Sequence, residues 1–155
     1  MVQVYVALGA NLGDRAATLG AAVEELRALA VDGEVACSSL HETEPVGGPP
    51  QPDFLNAVAG FRTALEAPAL LAALQRIEAR HGRERTVPQG PRTLDLDLLW
   101  YGGQELRLPG LEVPHPRMGE RLFVLAPLAE LAPELPLADT TVAGRLACLG
   151  PVSVD

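Results

Sequence analysis

Hydrophobic and polar positions alternate along residues 2–8, which predicts a β-strand buried on one side. The spacing then changes to that of a helix running to about Ala30, because leucines and alanines recur every three or four residues. Asp14, just before this helix, is its expected N-cap. A second strand is predicted over about residues 34–43. The first part of the chain therefore has the order β-α-β.

A second set of elements follows a break in this pattern. Residues 44–53 contain too many prolines and glycines for a helix or a strand. The elements predicted after this break are a strand over about residues 54–63, a helix from Pro68 to about His81, a polar loop over residues 82–93, and a strand at LDLDLLWY, residues 94–101. Proline is accepted in the first turn of a helix, which supports the predicted start of the second helix.

The order βαββαβ predicts an α+β fold, specifically a ferredoxin-like βαββαβ sandwich. A C-terminal extension follows, with an extended piece at about residues 105–108 and two short helices near residues 122–132 and 140–148. No internal repeat or linker is visible, so residues 1–155 are expected to form a single domain. Since this fold serves many functions, the function has to be argued from the site.

The net charge of -8 narrows the range of partners. A general nucleic-acid or acidic-membrane binder would show a broad basic face, so neither partner is expected. No apolar run is long enough to span a membrane and no basic leader precedes the first strand, which favours a cytoplasmic location. Cys37 and Cys148 lack metal-ligand spacing and are expected to be reduced thiols in the core.

Two acidic residues, Asp95 and Asp97, lie at positions i and i+2 of the last predicted strand. Because side chains alternate along a strand, both carboxylates face one way and the neighbouring leucines face the core. Two carboxylates about 7 Å apart along a strand repel each other unless a cation lies between them. Mg²⁺ commonly binds one or two carboxylates together with substrate phosphates. A solvated strand face with its charges outward is the alternative.

Arginines are concentrated in the loop that leads into this strand, at Arg83, Arg85 and Arg92. The guanidinium group binds phosphate oxygens bidentately, so arginines next to metal-binding acids fit a nucleoside triphosphate. A solvated loop that pairs with nearby glutamates is the alternative. Glu78 lies near the inward face of the preceding helix and therefore needs a partner, such as an arginine or a bound ribose; a plain surface glutamate is the alternative.

Several motifs resemble one known family. They are VALGANLGDR at residues 6–15, QPDFLNAV at residues 51–58, GPRTLDLDLLWYG at residues 90–102 and VPHPRMGER at residues 113–121. Together they resemble the 6-hydroxymethyl-7,8-dihydropterin pyrophosphokinases over nearly the whole chain. The resemblance implies an ATP- and Mg-dependent diphosphotransferase of folate biosynthesis. It transfers the β,γ-diphosphate of ATP to the hydroxymethyl group of the dihydropterin and releases AMP. It also implies a monomer.

The resemblance also assigns roles at the ATP end of the site. Asp95 and Asp97 hold two Mg²⁺ ions that bind the triphosphate. Arg83 and Arg92 engage the phosphates and assist transfer, and with Asp97 they form the catalytic set. The remaining residues expected to bind ATP are Gln75, Glu78, Arg85, His115 and Arg121.

The pterin end of the site follows from the resemblance as well. Phe54 and Phe123 match the pair that stacks on the two faces of the ring. Asn56 matches the amide that reads the edge of the pterin, since one side chain offers both donors and an acceptor. Thr43 and Val46 match positions that offer main-chain groups. Ordinary core packing is the alternative for both phenylalanines.

One position departs from the family pattern. Gln89 stands just before GPR, where many members carry a tryptophan that helps to close the arginine loop over the pterin. The departure bears on loop closure and pterin affinity and leaves the reaction class unchanged.

Two other functions fit parts of the pattern. A metal-dependent phosphohydrolase would use the same two acids and release phosphate without a pterin. A ferredoxin-like module that binds a small ligand would not need Mg²⁺ or the acids.

Overall fold

The computed structural model describes residues 1–11, 13–43, 53–81, 94–108, 111–113, 122–137 and 140–148. These residues form a mixed α/β fold built on an antiparallel sheet. The elements in chain order are β1 Val2–Ala10, α1 Arg15–Arg27, β2 Ala36–Cys37, β3 His41–Thr43, β4 Phe54–Thr63, α2 Ala67–Arg80, β5 Asp95–Tyr101, β6 Leu106–Leu108, β7 Leu111–Val113, α3 Leu122–Leu131, β8 Pro136–Leu137, β9 Thr140–Thr141 and α4 Val142–Cys148.

The main sheet has five strands in the order β2-β4-β1-β5, and β3 also pairs with β4. Every pair is antiparallel, and β4 spans the register from Val2↔Thr63 to Ala10↔Leu55 along β1. β1 and β4 therefore form the centre of the sheet, because each of them is paired on both sides. The short pairs β6–β7 and β8–β9 form separate two-stranded sheets.

One face of the main sheet is covered by α1 and α2. The alternating residues of β1, together with Leu96 and Leu98 of β5, pack there against helix residues such as Leu26 and Leu74. All of these residues are buried. This core explains the period-two pattern of β1, because only every second side chain of that strand faces the two helices.

The opposite face is covered in part by α3 and α4. Val58 and Leu99 pack there against Val124, Leu125 and Leu128 of α3 and Val142 of α4. The register between β1 and β5 shifts by one residue after Leu98, so Tyr101 returns to the first face and packs with α1 and α2. Pro127 lies inside α3, where it removes the N–H that would bond to the carbonyl of Phe123.

Several predicted elements are confirmed. β4 has the predicted bounds, α2 begins with Pro68 in its first turn, and the glycine pair after β5 forms a turn with positive φ at both residues. The side chain of Asp14 accepts a hydrogen bond from the Ala17 N–H at 3.1 Å, as an N-cap does. Most of residues 44–53 and 82–93, predicted to be loops, lie outside the described residues.

Four expectations are corrected. β1 continues to Ala10, two residues beyond the predicted strand, and α1 ends at Arg27 rather than near Ala30. The single strand predicted over residues 34–43 is two short strands, because Ser38 bonds to Val58 through both its N–H and its side chain. Cys37 is an exposed free thiol rather than a core residue.

Candidate active site

Asp95 and Asp97 point away from the α1–α2 core, as the alternation predicted. Both side chains are partly exposed, whereas Leu94, Leu96 and Leu98 are buried. Asp97 is opposite Ala7 of β1, and Asp95 is opposite Gly9. The two carboxylates therefore stand next to the small residues of the central strand, on the face that α3 and α4 cover in part.

The strand register extends this arrangement across the sheet. Asp95 pairs with Gly9, Gly9 pairs with Asn56 of β4, and Asn56 pairs with His41 of β3. Since neighbouring strands lie about 4.8 Å apart, Asp95 and Asn56 are separated by about 10 Å across Gly9. Residues paired in this way share a face of the sheet. The predicted metal-binding acids and the predicted pterin-binding amide are therefore on one face, with Gly9 between them.

Gly9 allows the side chains of two predicted site residues on β4 to come close to the backbone of β1. A Cβ at this position would lie 3.1 Å from Oδ1 of Asn56 and 3.8 Å from the Phe54 ring. Sequence reasoning gave Gly9 no role. The signal was available, because a glycine inside a strand often marks a place where another group approaches the backbone closely.

The Asn56 amide has a defined orientation. Its Nδ2 donates to the hydroxyl oxygen of Thr43 at 2.6 Å and lies 3.5 Å from the carbonyl oxygen of His41. A carbonyl only accepts, so Nδ2 belongs on this side and Oδ1 on the side of Gly9. Asn56 as a whole residue is 7% exposed. Asn56 therefore presents a fixed acceptor towards the centre of the sheet face.

The two predicted stacking residues come from different layers. Phe54 opens β4, is half-buried, and pairs with Thr43 across the β3–β4 ladder. Phe123 is the second residue of α3, and its side chain lies outside the described part of the structure. Phe54 and Asn56 lie two residues apart on β4 and face the same side, as predicted.

Glu78 is buried in α2, with 6% of its surface exposed. Its Oε2 accepts a hydrogen bond from the Leu96 N–H at 2.7 Å, and Leu96 lies between the two aspartates of β5. A charged acceptor of this kind makes a strong hydrogen bond to the backbone. The backbone of β5, at Leu96, is thus one partner of the buried Glu78 carboxylate, for which the sequence predicted a partner. Gln75, one turn earlier on α2, is exposed.

The end of α2 is anchored beside the arginine-rich segment. Glu25 of α1 receives bonds of 2.6 Å from both Arg80 and His81. Partial burial acts to raise the pKa of Glu25, but the hydrogen bonds and charges of His81 and Arg80 hold it below its ordinary value. His81, the last described residue before this segment, is therefore bonded to α1.

Six predicted site residues lie outside the described residues, and their roles stay predictions. They are Val46, Arg83, Arg85, Arg92, His115 and Arg121. In the described part of the chain, sequence reasoning and structure can be compared at Thr43, Phe54, Asn56, Gln75, Glu78, Asp95 and Asp97. The structure brings Asp95 and Asp97 together with Phe54, Asn56 and Thr43 on one face, and Glu78 contacts β5 from the other side.

The donor set at the acids fits Mg²⁺. Among the described residues, no group of three or more His, Cys, Asp or Glu side chains is suited to hold a metal ion. Two carboxylates next to a glycine leave most coordination positions to other ligands. Mg²⁺ is usually held in this way, by one or two carboxylates with phosphates and water.

The described helices include none that is long and apolar enough to cross a membrane.

Comparison with known proteins relates this fold and site to one family. The sequence model described as 7,8-dihydro-6-hydroxymethylpterin-pyrophosphokinase matches residues 5–133. A 2-amino-4-hydroxy-6-hydroxymethyldihydropteridine pyrophosphokinase from Pseudomonas aeruginosa is 49% identical over 140 residues, covering 90% of this chain and 86% of the relative. The Bacillus subtilis protein of the same name is 47% identical over 131 residues, covering 84% of this chain and 78% of the relative.

Solved structures agree on the fold. A Plasmodium falciparum HPPK-DHPS triple mutant with SDX-DHP has a TM-score of 0.73 at 14% identity, and the match covers 95% of this chain and 44% of that chain. At this identity the likeness shows the fold alone, and the chain spans less than half of that solved chain. The sequence matches extend over most of the chain and over most of the curated relatives, and the family-model match over residues 5–133 spans both aspartates, Asn56 and Phe54. This chain therefore belongs to the 7,8-dihydro-6-hydroxymethylpterin-pyrophosphokinase family.

Proposed function

We propose that this chain transfers the β,γ-diphosphate of ATP to the hydroxymethyl oxygen of 6-hydroxymethyl-7,8-dihydropterin and releases AMP. Membership of the family supports pyrophosphokinase activity in folate biosynthesis. The observation that carries the proposal is the row Asp95–Gly9–Asn56, which places Asp95, together with Asp97 two residues along β5, on the same sheet face as a fixed amide acceptor. Neither a phosphohydrolase nor a simple binding module needs both halves of this row.

The reaction forms one P–O bond and breaks another, and the alcohol loses its proton. The hydroxymethyl oxygen attacks the β-phosphorus, the bond between the β-phosphorus and the bridging oxygen of the α-phosphate breaks, and AMP leaves with that oxygen. The proton of the alcohol passes to a nearby base or to water. Such transfers depend mainly on alignment and on neutralising the phosphate charge.

Asp95 and Asp97 are the residues that would hold Mg²⁺, two ions being expected with ATP. When bound, the metal neutralises the phosphate oxygens and orients the triphosphate. Asp95 and Asp97 lie on β5, at the acidic end of the row Asp95–Gly9–Asn56. This position supports a triphosphate bound over β5 and β1. Asp97 is the one expected to be catalytic. Arg83 and Arg92, in the segment that precedes β5 in the sequence, would add positive charge.

Asn56 and Phe54 are the residues that would bind the pterin. Oδ1 of Asn56 accepts an N–H from the edge of the ring, because Nδ2 is already engaged with Thr43. Phe54 offers a flat apolar face beside this acceptor, and Phe123 is expected to cover the opposite face of the ring. Excluding water from this pocket protects ATP from hydrolysis while the substrates are aligned.

The proposal includes four wider statements. The chain acts as a single domain, as a monomer, and in the cytoplasm, where dihydropterin and ATP are available. The arrangement of the sheet is ferredoxin-like; the strand order and the two helices on one face support this assignment.

The test is to incubate the purified chain with Mg-ATP, with and without 6-hydroxymethyl-7,8-dihydropterin, and to identify the nucleotide product. AMP that forms only with the pterin is the expected result. Phosphate or ADP released without the pterin would favour the phosphohydrolase. Binding of the pterin without turnover, and without a need for Mg²⁺, would favour the binding module.

A further inference from the structure

A polar cluster joins α3 to the segment around β3. Glu130 of α3 uses both of its carboxylate oxygens: Oε1 accepts from the Ser39 N–H at 2.8 Å, and Oε2 lies 2.7 Å from the Ser39 hydroxyl and 2.6 Å from Nε2 of His41. The Ser39 hydroxyl is also 3.3 Å from the same His41 nitrogen. We call Ser39, His41 and Glu130 the β3 clamp.

The β3 clamp is built around an ionised carboxylate. Partial burial acts to raise the pKa of Glu130, but hydrogen bonds from the Ser39 N–H and hydroxyl and from His41 hold it below its ordinary value. About a third of each of the Glu130 and His41 side chains is exposed. Three short contacts to one carboxylate restrain its partners more than a single surface ion pair does.

The strand that the clamp holds is short. β3 has three residues and, among the described strands, pairs only with β4. Glu42, the middle residue, accepts a hydrogen bond at 2.9 Å from Arg15, the first residue of α1. His41 is held by α3. β3 is therefore bonded to α1 on one face and to α3 on the other, because neighbouring side chains of a strand point to opposite sides.

Beside the clamp lie the residues that orient the Asn56 amide. His41 is paired with Asn56 and offers its carbonyl to the amide, and Thr43, two residues further on, accepts from Nδ2 at 2.6 Å. A shift of β3 would move both acceptors of Nδ2 together. The orientation of Asn56 thus depends on a strand that pairs with β4 alone among the strands that the structure describes.

The clamp also connects two residues expected to contact the pterin. Phe123 lies seven residues before Glu130 in α3, about two helical turns away. Phe54 of β4 is paired with Thr43 of β3, the strand that the clamp holds. Glu130 thus joins the helix that carries one predicted stacking residue to the strand pair that carries the other.

We propose that Glu130 is a positioning residue for the pterin site: through Ser39 and His41 it fixes β3, and thereby the Asn56 amide, relative to α3. The inference rests on the proposed function. Asp95 and Asp97 lie on β5, three strand spacings or about 14 Å from β3. Loss of the clamp should therefore weaken pterin binding and leave Mg-ATP binding nearly unchanged.

The experiment measures AMP formation and determines kcat and the KM of each substrate for folded variants. Glu130→Ala should raise the pterin KM about tenfold and change the ATP KM less than twofold. Glu130→Gln keeps an oxygen that accepts from the Ser39 N–H but loses the charge, so it should raise the pterin KM less than Glu130→Ala does, about two- to fivefold. Glu24→Ala is the matched control, since Glu24 forms a surface pair with Arg27 on α1 and is 70% exposed; it should behave as the wild type.

A purely structural role would give a different result. It would lower the amount of active enzyme, and thus kcat, without separating the two KM values. That result, or a pterin KM within twofold of the wild type in folded Glu130→Ala, would overturn the inference. If Glu130→Ala does not fold, Ser39→Ala and Glu130→Gln are measured instead. Each should raise the pterin KM two- to fivefold. A pterin KM equal to that of the wild type in either variant would overturn the inference.

The wild-type protein separates this inference from the proposed function. Wild-type turnover to AMP with no effect of Glu130→Ala contradicts the positioning role alone. A wild-type protein that neither binds the pterin nor forms AMP contradicts both.

Discussion

The Glu78 carboxylate accepts a hydrogen bond from the Leu96 N–H at 2.7 Å, which connects α2 to β5 at the residue between Asp95 and Asp97. Among the described strands, β5 pairs with β1 alone and so forms one edge of the main sheet. Backbone groups on the outer side of such a strand need other partners. Glu78 supplies one, so the strand that carries both acids is fixed from two sides.

We predict that Glu78→Ala destabilises the protein and lowers its activity. It leaves the buried Leu96 N–H without this acceptor, which costs about 1–3 kcal/mol. It also loosens the strand that carries the two acids, so turnover should fall further than stability explains. Glu78→Gln keeps an acceptor oxygen and should lose less of both. Urea unfolding and AMP formation measure the two effects.

Glu66 provides the control for this prediction. It precedes α2, is exposed, and makes no capping bond through its side chain. Glu66→Ala should change stability by no more than about 0.5 kcal/mol. If both alanine variants behave alike, the bond to Leu96 has no special role.

The acid pair leads to a second prediction. Asp97→Asn keeps the size of the side chain and removes its charge, so it should lower kcat at least a hundredfold, about 2.7 kcal/mol of transition-state stabilisation, with little change in unfolding temperature. Chelation of Mg²⁺ by EDTA should stop the wild-type reaction, and added Mg²⁺ should restore it. Asp32→Asn in the turn after α1 is the control and should retain full turnover. Wild-type rates in Asp97→Asn would exclude the proposed role of the acid.

Much of the fold could be predicted because its strands pack one face on the α1–α2 core. That packing imposes the alternation read in β1 and around Asp95 and Asp97, and the prolines and glycines marked the ends of α2 and β5. The interruption between β2 and β3 was not predictable, because it arises from bonds between Ser38 and Val58, twenty residues apart. β2, which carries the exposed Cys37, is only two residues long as a result.

The site was predicted residue by residue, but its arrangement was not. Alternation puts Asp95 and Asp97 on one side of their own strand, yet it does not give the register between strands. Only the pairing of β1 with both β4 and β5 brings Asp95, Gly9 and Asn56 into one row. The contact of Glu130 with His41 spans 89 residues, and no local pattern predicts it.

Gly9 gives the third prediction. A methyl group there would lie 3.1 Å from Oδ1 of Asn56, a tight contact that the amide must relieve by moving. Gly9→Ala should therefore raise the pterin KM about fivefold or more, with a smaller effect on the ATP KM. Steady-state kinetics with each substrate varied in turn would measure this.

The control is Gly20→Ala, inside α1, where a Cβ meets no atom within 4 Å. It should leave both KM values unchanged and stabilise the protein by about 0.5–1 kcal/mol, because alanine favours a helix more than glycine does. A pterin KM in Gly9→Ala equal to that in Gly20→Ala would contradict the close approach at Gly9.

The anchor of α2 on α1 predicts how stability depends on pH. His81 and Arg80 hold the pKa of Glu25 below its ordinary value, against the opposing effect of partial burial. A carboxylate with a lowered folded-state pKa contributes stability above its unfolded-state pKa, about 4.3 for Glu, and loses that contribution as the pH falls through the folded-state value. Glu25→Gln should therefore be less stable than the wild type at pH 6, and the difference should shrink below about pH 4. Arg80→Gln leaves the bond to His81 in place and should retain part of this dependence. Urea unfolding at pH 3 to 7 would measure both curves, and a difference that stays constant down to pH 3 would show that the ionised Glu25 does not stabilise the fold through this anchor.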